Sequence, residues 1–255
     1  KFVPSIERFL LIKRETRIPK KIWQTDKKIP TPGGELDLVT KRWKELNPDW
    51  EYNFISDSKA LDFCEKHFKP NVANAIRVLV PGAYKADLIR ACYLYIEGGV
   101  YADIKLKPLY PLDQILDRNL VLVKDKMGNG VWNGFVAAAP RNNYFLTVIK
   151  RIVGNVMNLR RGRNCLDITG PKVWESAYLS YFRCEKLEVG LYHDKRIIFH
   201  ETLGVLGKNK FVSMYPNGAH IIEWKADYEG RQNYYHNWKK ENVYDKELWN
   251  KYFKV

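Results

Sequence analysis

The segment Tyr84–Lys107, YKADLIRACYLYIEGGVYADIKLK, joins two residue periodicities through a pair of glycines. Its first half predicts a helix over residues 84–96, because apolar residues recur there at helical spacing: Ala86, Ile89, Tyr93 and Ile96. Its second half alternates strictly over residues 100–106, which predicts a strand. Gly98 and Gly99 end the helix, so the segment predicts a helix, a tight turn and a strand in that order.

Charged residues occur on both halves of this segment. Asp87 and Arg90 are three residues apart and therefore share a face of the helix. On the strand, Tyr101, Asp103 and Lys105 point to the same side. The turn can bring both faces to one cleft at the carboxyl end of a strand, where open α/β sheets bind their ligands. A surface ion pair between Asp87 and Arg90, beside a solvated strand edge, is the alternative interpretation.

The flanking sequence predicts an α/β fold. A strand-like segment, a helical one, a second strand and a second helix open the chain, at residues 18–25, 36–46, 50–55 and 56–68. This order is typical of a sheet with crossover helices. Further elements are expected over residues 120–123, 132–139, 143–159, 171–182 and 197–199. We therefore expect a mixed, mostly parallel sheet flanked by helices.

With 255 residues, of which 45% are apolar, the chain is long enough for one full core. We expect a single domain over residues 1–255, with a lead-in segment at 1–17 and two halves at 18–125 and 126–255. No run of eighteen apolar residues occurs, so any membrane association would need an anchor outside the sequence, which begins at Lys1.

The net charge of +14 favours anionic partners, such as nucleic acid, an acidic membrane or a phosphorylated small molecule. The basic residues are spread along the chain without an RNA-binding aromatic signature or zinc-finger spacing, so a nucleic-acid partner is not expected. The four cysteines form no CxxC pair, which argues against structural zinc. Cys165 and Cys184 could pair in an oxidising compartment, and four free thiols are the alternative.

The segment resembles the sugar-binding region with the DXD motif of the family 32 glycosyltransferases, which include mannosyltransferases and relatives of the clostridial glucosylating toxins. Residues 84–90 and 94–105 carry the resemblance. Weaker landmarks are residues 18–25, Trp43 with 47–52, Asn133, 169–171 and 235–238. The resemblance implies a single nucleotide-sugar-binding domain of the GT-A type, with its donor half at 18–125 and its acceptor half at 126–255.

The resemblance also implies the donor-binding residues. Asp103 matches the first Asp of DXD, a contact of the donor ribose and of the metal ion. Asp87 matches an acidic residue near the ribose, and Arg90 matches an Arg that reaches toward the donor sugar and phosphates. Tyr101 would be an aromatic neighbour of the nucleotide. These residue types suit the chemistry, because carboxylates accept from ribose hydroxyls and a guanidinium donates a planar fork to phosphate.

The remaining implied contacts are weaker. Trp23 and Gln24 fall where the base is expected, and Asn133 and Thr169 fall on the acceptor side. His236 would be a metal or phosphate contact near the C-terminus.

Lys105 departs from the family pattern, because it stands where the second Asp of DXD would be a metal ligand. An ammonium removes one oxygen ligand and repels a dication, so we expect weak Mn²⁺ or Mg²⁺ binding through Asp103 and His236. Arg90, Asp103 and Lys105 are the expected catalytic residues. A Lys105 side chain turned to solvent, with metal still bound, is the alternative.

The resemblance thus implies a hexosyltransferase that uses a UDP- or GDP-linked sugar, with a glycan or lipid-linked acceptor and retention at the anomeric carbon. An inactive, nucleotide-sugar-binding relative with an altered DXD motif is the alternative function. Two cellular compartments remain as alternatives: the endomembrane system, which the resemblance favours, and the cytoplasm.

Overall fold

One large mixed sheet with helices packed on it forms the framework of the protein. The computed structural model describes residues 18–116, 119–124, 130–187, 191–192, 196–203, 210–213, 220–224 and 234–254. The expected lead-in segment at residues 1–17 lies outside the described residues. No helix in the described part of the chain is long and apolar enough to cross a membrane.

The strands of the sheet are β1 (Lys21–Thr25), β2 (Glu51–Ile55), β3 (Gly99–Ala102), β4 (Leu106–Pro108), β5 (Leu120–Lys124), β6 (Val131–Ala138), β7 (Leu191–Tyr192), β8 (Arg196–Leu203), β9 (Lys210–Ser213) and β10 (His220–Trp224). The helices are α1 (Glu35–Leu46), α2 (Asp57–His67), α3 (Pro70–Val78), α4 (Gly82–Ile96), α5 (Leu112–Ile115), α6 (Asn143–Met157), α7 (Pro171–Phe182), α8 (Tyr234–Lys239) and α9 (Lys246–Phe253).

The strand order is β2-β1-β3-β6-β5-β8-β9-β10-β4, with β7 beside β8. The mixed α/β fold predicted from the sequence is confirmed. The parallel pairs are β1 with β2, β1 with β3, and β5 with β8. The other six described pairs are antiparallel, so parallel pairing predominates only at the β2-β1-β3 edge. Antiparallel neighbours such as β5 and β6 need only a short connection, whereas parallel neighbours need a crossover, and the sequence pattern does not distinguish them.

Gly98 and Gly99 connect α4 to β3 as predicted. Their φ angles of +67° and +95° are ones that side chains rarely allow. A Cβ at Gly98 would also lie 2.8 Å from the Ala138 carbonyl oxygen, and one at Gly99 would lie 2.6 Å from that of Lys21. The two glycines therefore let α4 enter the sheet between its neighbours.

The predicted strand over residues 100–106 is shorter than expected. β3 ends at Ala102, and the amide of Leu106 donates to the Asp103 carbonyl oxygen at 2.8 Å, which closes a turn over residues 103–106. After this turn the chain leaves β3, and β4 pairs with β10. Asp103 and Lys105 therefore lie on a turn at the strand end, not along one face of a continuous strand.

The sheet buries both faces. Alternate residues of β3 confirm the predicted period of two, because Tyr101 packs into one apolar cluster while Val100 and Ala102 pack into the other. The first cluster includes buried residues of α2, α3, α4, α6 and α7, and the second includes those of α1 and α5. The four cysteines are free thiols.

Candidate functional site

Arg90 is the centre of the charged cluster at the end of β3. The residue is 4% exposed and comes from the middle of α4. Its Nη2 atom lies 3.3 Å from Oδ1 of Asp87 and 3.2 Å from Oδ1 of Asp103. The guanidinium also stacks over Tyr101, with Cζ 4.4 Å from the ring centroid. The predicted helix face and strand end therefore meet, and their charges pair inside the protein.

Main-chain oxygens hold the rest of the guanidinium. Nε of Arg90 donates to the Ala86 carbonyl oxygen at 3.0 Å, and Nη1 donates to the Asn133 carbonyl oxygen. Every nitrogen of the side chain thus has an acceptor within the protein. These contacts use four of the five N–H groups of a side chain that is 4% exposed, and a direct contact between Arg90 and donor phosphates stays a prediction.

Asp87 is held by side chains that are distant in sequence. Nδ2 of Asn133 donates to its Oδ1 at 2.9 Å, and Oγ1 of Thr169 donates to its Oδ2 at 2.7 Å. Burial raises the pKa of Asp87 to about 6, against the opposing effects of Arg90 and of these hydrogen bonds. Asn133 and Thr169, expected on the acceptor side, are in contact with the donor-side cluster.

Asp103 is the most accessible charged group of the cluster. Its side chain is 20% exposed, compared with 11% for Asp87 and 5% for Arg90. The Tyr101 hydroxyl donates to Oδ1 of Asp103 at 3.1 Å, and burial raises the pKa of Tyr101 well above its usual 10. Tyr101 therefore stays a neutral hydrogen-bond donor that fixes the Asp103 carboxylate.

Gln24 links this cluster to the neighbouring strand. Its Nε2 donates to the Asp103 carbonyl oxygen at 3.2 Å, and its Oε1 accepts from the Tyr52 hydroxyl at 2.9 Å. The sequence did not indicate Tyr52 as a site residue, because the alternation of β2 explains an aromatic residue there without a function. Pairing of β1 with both β2 and β3 brings these side chains together.

Trp23 lies in the core, although the sequence placed it near the base. It is 7% exposed, and its Nε1 donates to the Gly98 carbonyl oxygen at 2.8 Å. Its ring centroid lies 4.9 Å from that of Tyr93. Trp23 therefore fixes the glycine turn, and its contact with a base stays a prediction.

Lys105 and His236 differ from the cluster in their placement. Lys105 is partly buried on the turn after Asp103, and His236 is exposed on α8 beside Tyr235. Among the described residues, no group of three His, Cys, Asp or Glu side chains is arranged to hold a metal ion. The expected pair of metal contacts, Asp103 and His236, stays a prediction.

Tyr84 connects the cluster to the loop that follows α6. Its hydroxyl donates to the Cys165 carbonyl oxygen at 2.7 Å, four residues before Thr169. Together these contacts form a site in which one guanidinium is neutralised by two carboxylates. Because Asp103 is the exposed member, the site presents acceptor oxygens to solvent, and such oxygens suit ligands rich in hydroxyl groups.

Fold and site define an α/β domain of the GT-A type. The solved structure of PaToxG glycosyltransferase has the same fold, with a TM-score of 0.54 over 65% of this chain and 70% of that one at 17% identity. Residues 34–122 match the glycosyltransferase sugar-binding region containing the DXD motif. The resemblance noted from the sequence is thus confirmed over these residues, which include the segment 84–107.

Three curated relatives share one name. The initiation-specific alpha-1,6-mannosyltransferase of Candida albicans is 29% identical over 143 residues, which are 52% of this chain and 36% of that protein. The protein of the same name from Schizosaccharomyces pombe is 23% identical over 194 residues, which are 64% of this chain and 48% of that protein. The chain thus spans half or less of the length of these relatives.

Proposed function

We propose that this domain transfers a hexose from a UDP- or GDP-linked donor to a hydroxyl of a glycan or lipid-linked acceptor, with retention at the anomeric carbon. One observation carries the proposal. Within the matched region, the partly exposed carboxylate of Asp103 is fixed by Arg90 and Tyr101 at the end of β3. A carboxylate held in this way can accept from ribose or sugar hydroxyls without reorganising.

The proposed roles follow from accessibility and charge. Asp103 accepts from donor hydroxyls, while buried Asp87 keeps Arg90 in place. Arg90 and Lys105 supply positive charge near the diphosphate, whose negative charge grows as the bond to the sugar breaks. Gln24 joins Asp103 to β1, on the side where the base is proposed to bind. Catalysis is then mainly positional and electrostatic.

We propose weak dependence on a divalent cation. Asp103 offers one partly exposed carboxylate, and the second acidic position of the motif is Lys105. A cation bound there would take most of its ligands from the donor diphosphate and water. Lys105→Asp restores a carboxylate and should make activity depend more on Mn²⁺. Wild-type activity that is fully lost in EDTA and fully restored by Mn²⁺ would contradict this proposal.

Mannose is the first sugar to test, because the curated relatives are named as mannosyltransferases. Those names extend to this chain only as a proposal, since it spans half or less of each relative. An endomembrane location and a glycan acceptor are proposed on the same basis.

Thermal denaturation against UDP, GDP and their sugars tests the proposal. A ligand at about 100 times its Kd stabilises a protein by roughly 2.7 kcal/mol, so a correct donor should raise the Tm measurably. Asp103→Asn should lose this increase, whereas Asp49→Asn, an exposed carboxylate outside the cluster, should keep it. Release of the nucleoside diphosphate then measures turnover.

The outcomes distinguish the candidate functions. Binding and turnover that both need Asp103 support the transferase. Binding without turnover across the full donor panel indicates a nucleotide-sugar-binding relative. An absence of binding to every donor, or full activity of Asp103→Asn, would refute the site assignment.

A further inference from the structure

A concave surface lies between α6, α7 and the loop that joins them. Its volume is about 410 Å³, within the range of small-molecule sites. Residues from all three parts line it, and the cations among them are Lys150, Arg151, Arg160, Arg163 and Lys172. We call it the α6–α7 pocket.

The charge of the α6–α7 pocket is one-sided. Asp167 is the carboxylate among the lining residues, and one of its oxygens already accepts from the main-chain amide of Arg163 at 2.9 Å. Five cations therefore line the surface with one acidic side chain. Cations that share a concave surface repel one another, and a bound anion removes that repulsion.

Part of this charge is compensated within the protein, and part is not. Lys172 pairs with Glu175 at 3.0 Å, and Arg160 donates to the Asn155 side-chain oxygen at 3.3 Å. Within the described residues, Lys150, Arg151 and Arg163 form no ion pair. Nε of Arg151 is buried and lacks a hydrogen-bond partner. Buried polar groups are nearly always hydrogen-bonded, so the hydrogen bonds of the Arg151 side chain are incomplete within the described residues.

Gly154 is a second, independent feature of this surface. It lies in the last turns of α6 and lines the pocket, although glycine disfavours a helix. Packing does not require a glycine there, since a Cβ at this position would have no atom within 4 Å. The missing side chain therefore leaves open space on the lining of the pocket.

We propose that the α6–α7 pocket binds a small molecule that carries two or more phosphate groups. Guanidinium and ammonium groups on three sides suit several phosphate oxygens at once, and a single phosphate would engage only some of them. The proposal is independent of the proposed transferase activity, because none of the lining residues belongs to the cluster of Asp87, Arg90, Tyr101 and Asp103, here called the Asp103 cluster. A free molecule and a lipid headgroup are the two sources of such phosphates, and the experiment separates them.

Calorimetric titration with inorganic pyrophosphate tests the proposal, at about 0.15 M ionic strength so that diffuse attraction is screened. Arg151→Ala with Arg163→Ala should weaken binding by at least about tenfold. Gly154→Glu should do the same, because it places a carboxylate in the open space. Matched controls are Gly154→Ala and the exposed pair Lys66→Ala with Lys69→Ala, which removes equal charge elsewhere.

The pocket proposal predicts that both controls and Asp103→Asn bind pyrophosphate within about twofold of wild type. Equal weakening by the Lys66 and Lys69 pair would show general electrostatic attraction and overturn the proposal, as would undetectable binding by wild type. Melting curves of each variant without ligand separate lost binding from lost folding.

Vesicles containing phosphatidylinositol bisphosphate, compared with neutral vesicles, identify the source of the phosphates. Binding that the Arg151 and Arg163 substitutions abolish indicates a lipid headgroup. Competition by soluble pyrophosphate without vesicle binding indicates a free molecule. Vesicle binding that survives both the substitutions and pyrophosphate would place the lipid contact elsewhere and count against the pocket.

Discussion

The Asp103 cluster and the α6–α7 pocket handle positive charge in opposite ways. In the cluster, one guanidinium has two carboxylates within 3.3 Å and is nearly excluded from solvent. In the pocket, five cations face an open volume with one carboxylate. The first arrangement is complete without a ligand and presents acceptor oxygens, while the second leaves donors for an anion. The net charge of the chain, +14, does not show which of these two arrangements a given basic residue belongs to.

The largest expected effect is that of Arg90→Ala on stability. Removing one partner of a buried ion pair costs about 3–5 kcal/mol, because the remaining charge stays buried without compensation. We expect a large fall in the Tm of Arg90→Ala at neutral pH. Arg161→Ala is the control, since its pair with Glu241 is exposed and should contribute about 1 kcal/mol or less.

This result would also revise an expectation from the sequence. The alternative interpretation of the sequence placed Asp87 and Arg90 in a surface ion pair, whereas both residues are buried. If Arg90→Ala melted like wild type, the internal compensation described for the cluster would be wrong.

The next effect is a dependence of stability on pH. The pKa of Asp87 is raised to about 6 in the folded protein, from 3.8. Between these values the native state binds more protons than the unfolded state, so this group makes stability fall as pH rises from about 4 to 6. Asp87→Asn removes this contribution, with a slope of up to about 1.4 kcal/mol per pH unit.

Urea denaturation at several pH values gives the free energy of unfolding of wild type and of Asp87→Asn. The slope is that of the difference between these two free energies, plotted against pH. Relative to the variant, wild type should lose stability across this window. A difference that stays constant, or one that rises with pH, would show that Asp87 is not destabilised by burial.

The smallest effect is expected at Gly154. Gly154→Ala should stabilise α6 by about 0.5–1 kcal/mol, because Ala favours a helix and the added methyl has free space. Gly98→Ala is the opposite control, since its φ of +67° and the Ala138 oxygen at 2.8 Å should make it destabilising. Chemical denaturation compares the two, and a destabilised Gly154→Ala would show that packing, not an open pocket, requires the glycine.

The local order of elements could be predicted from the sequence, because periodicity and glycines determine it. Helix α4, the Gly98–Gly99 turn and β3 lie where the pattern of residues 84–106 puts them. The turn after Ala102 was missed, since residues 103–106 keep the alternation of a strand although β4 pairs elsewhere. Helix α3 was missed too, although Pro70 stands at its first turn, where proline is favoured.

Contacts between distant residues could be predicted only in part. Asp87, Arg90 and Asp103 were placed together because one short segment contains them all. The meeting of Asn133 and Thr169 at Asp87 depends on how β6 and the loop before α7 pack, and no local pattern encodes this packing. The basic residues at 160–163 are visible in the sequence, but their position on a concave surface is not.

The bond from Thr169 to Asp87 spans 82 residues, and that from Asn133 spans 46. Contacts of such sequence separation close long loops, and because of that entropic cost we expect them to form late in folding. Helix α4 can form from its own sequence, but its charged residues acquire their partners only when the segment from β6 to α7 has packed. The carboxylate cluster is therefore a marker of completed folding: a nascent chain that ends before Thr169 has the motif but lacks a contact that holds the site together.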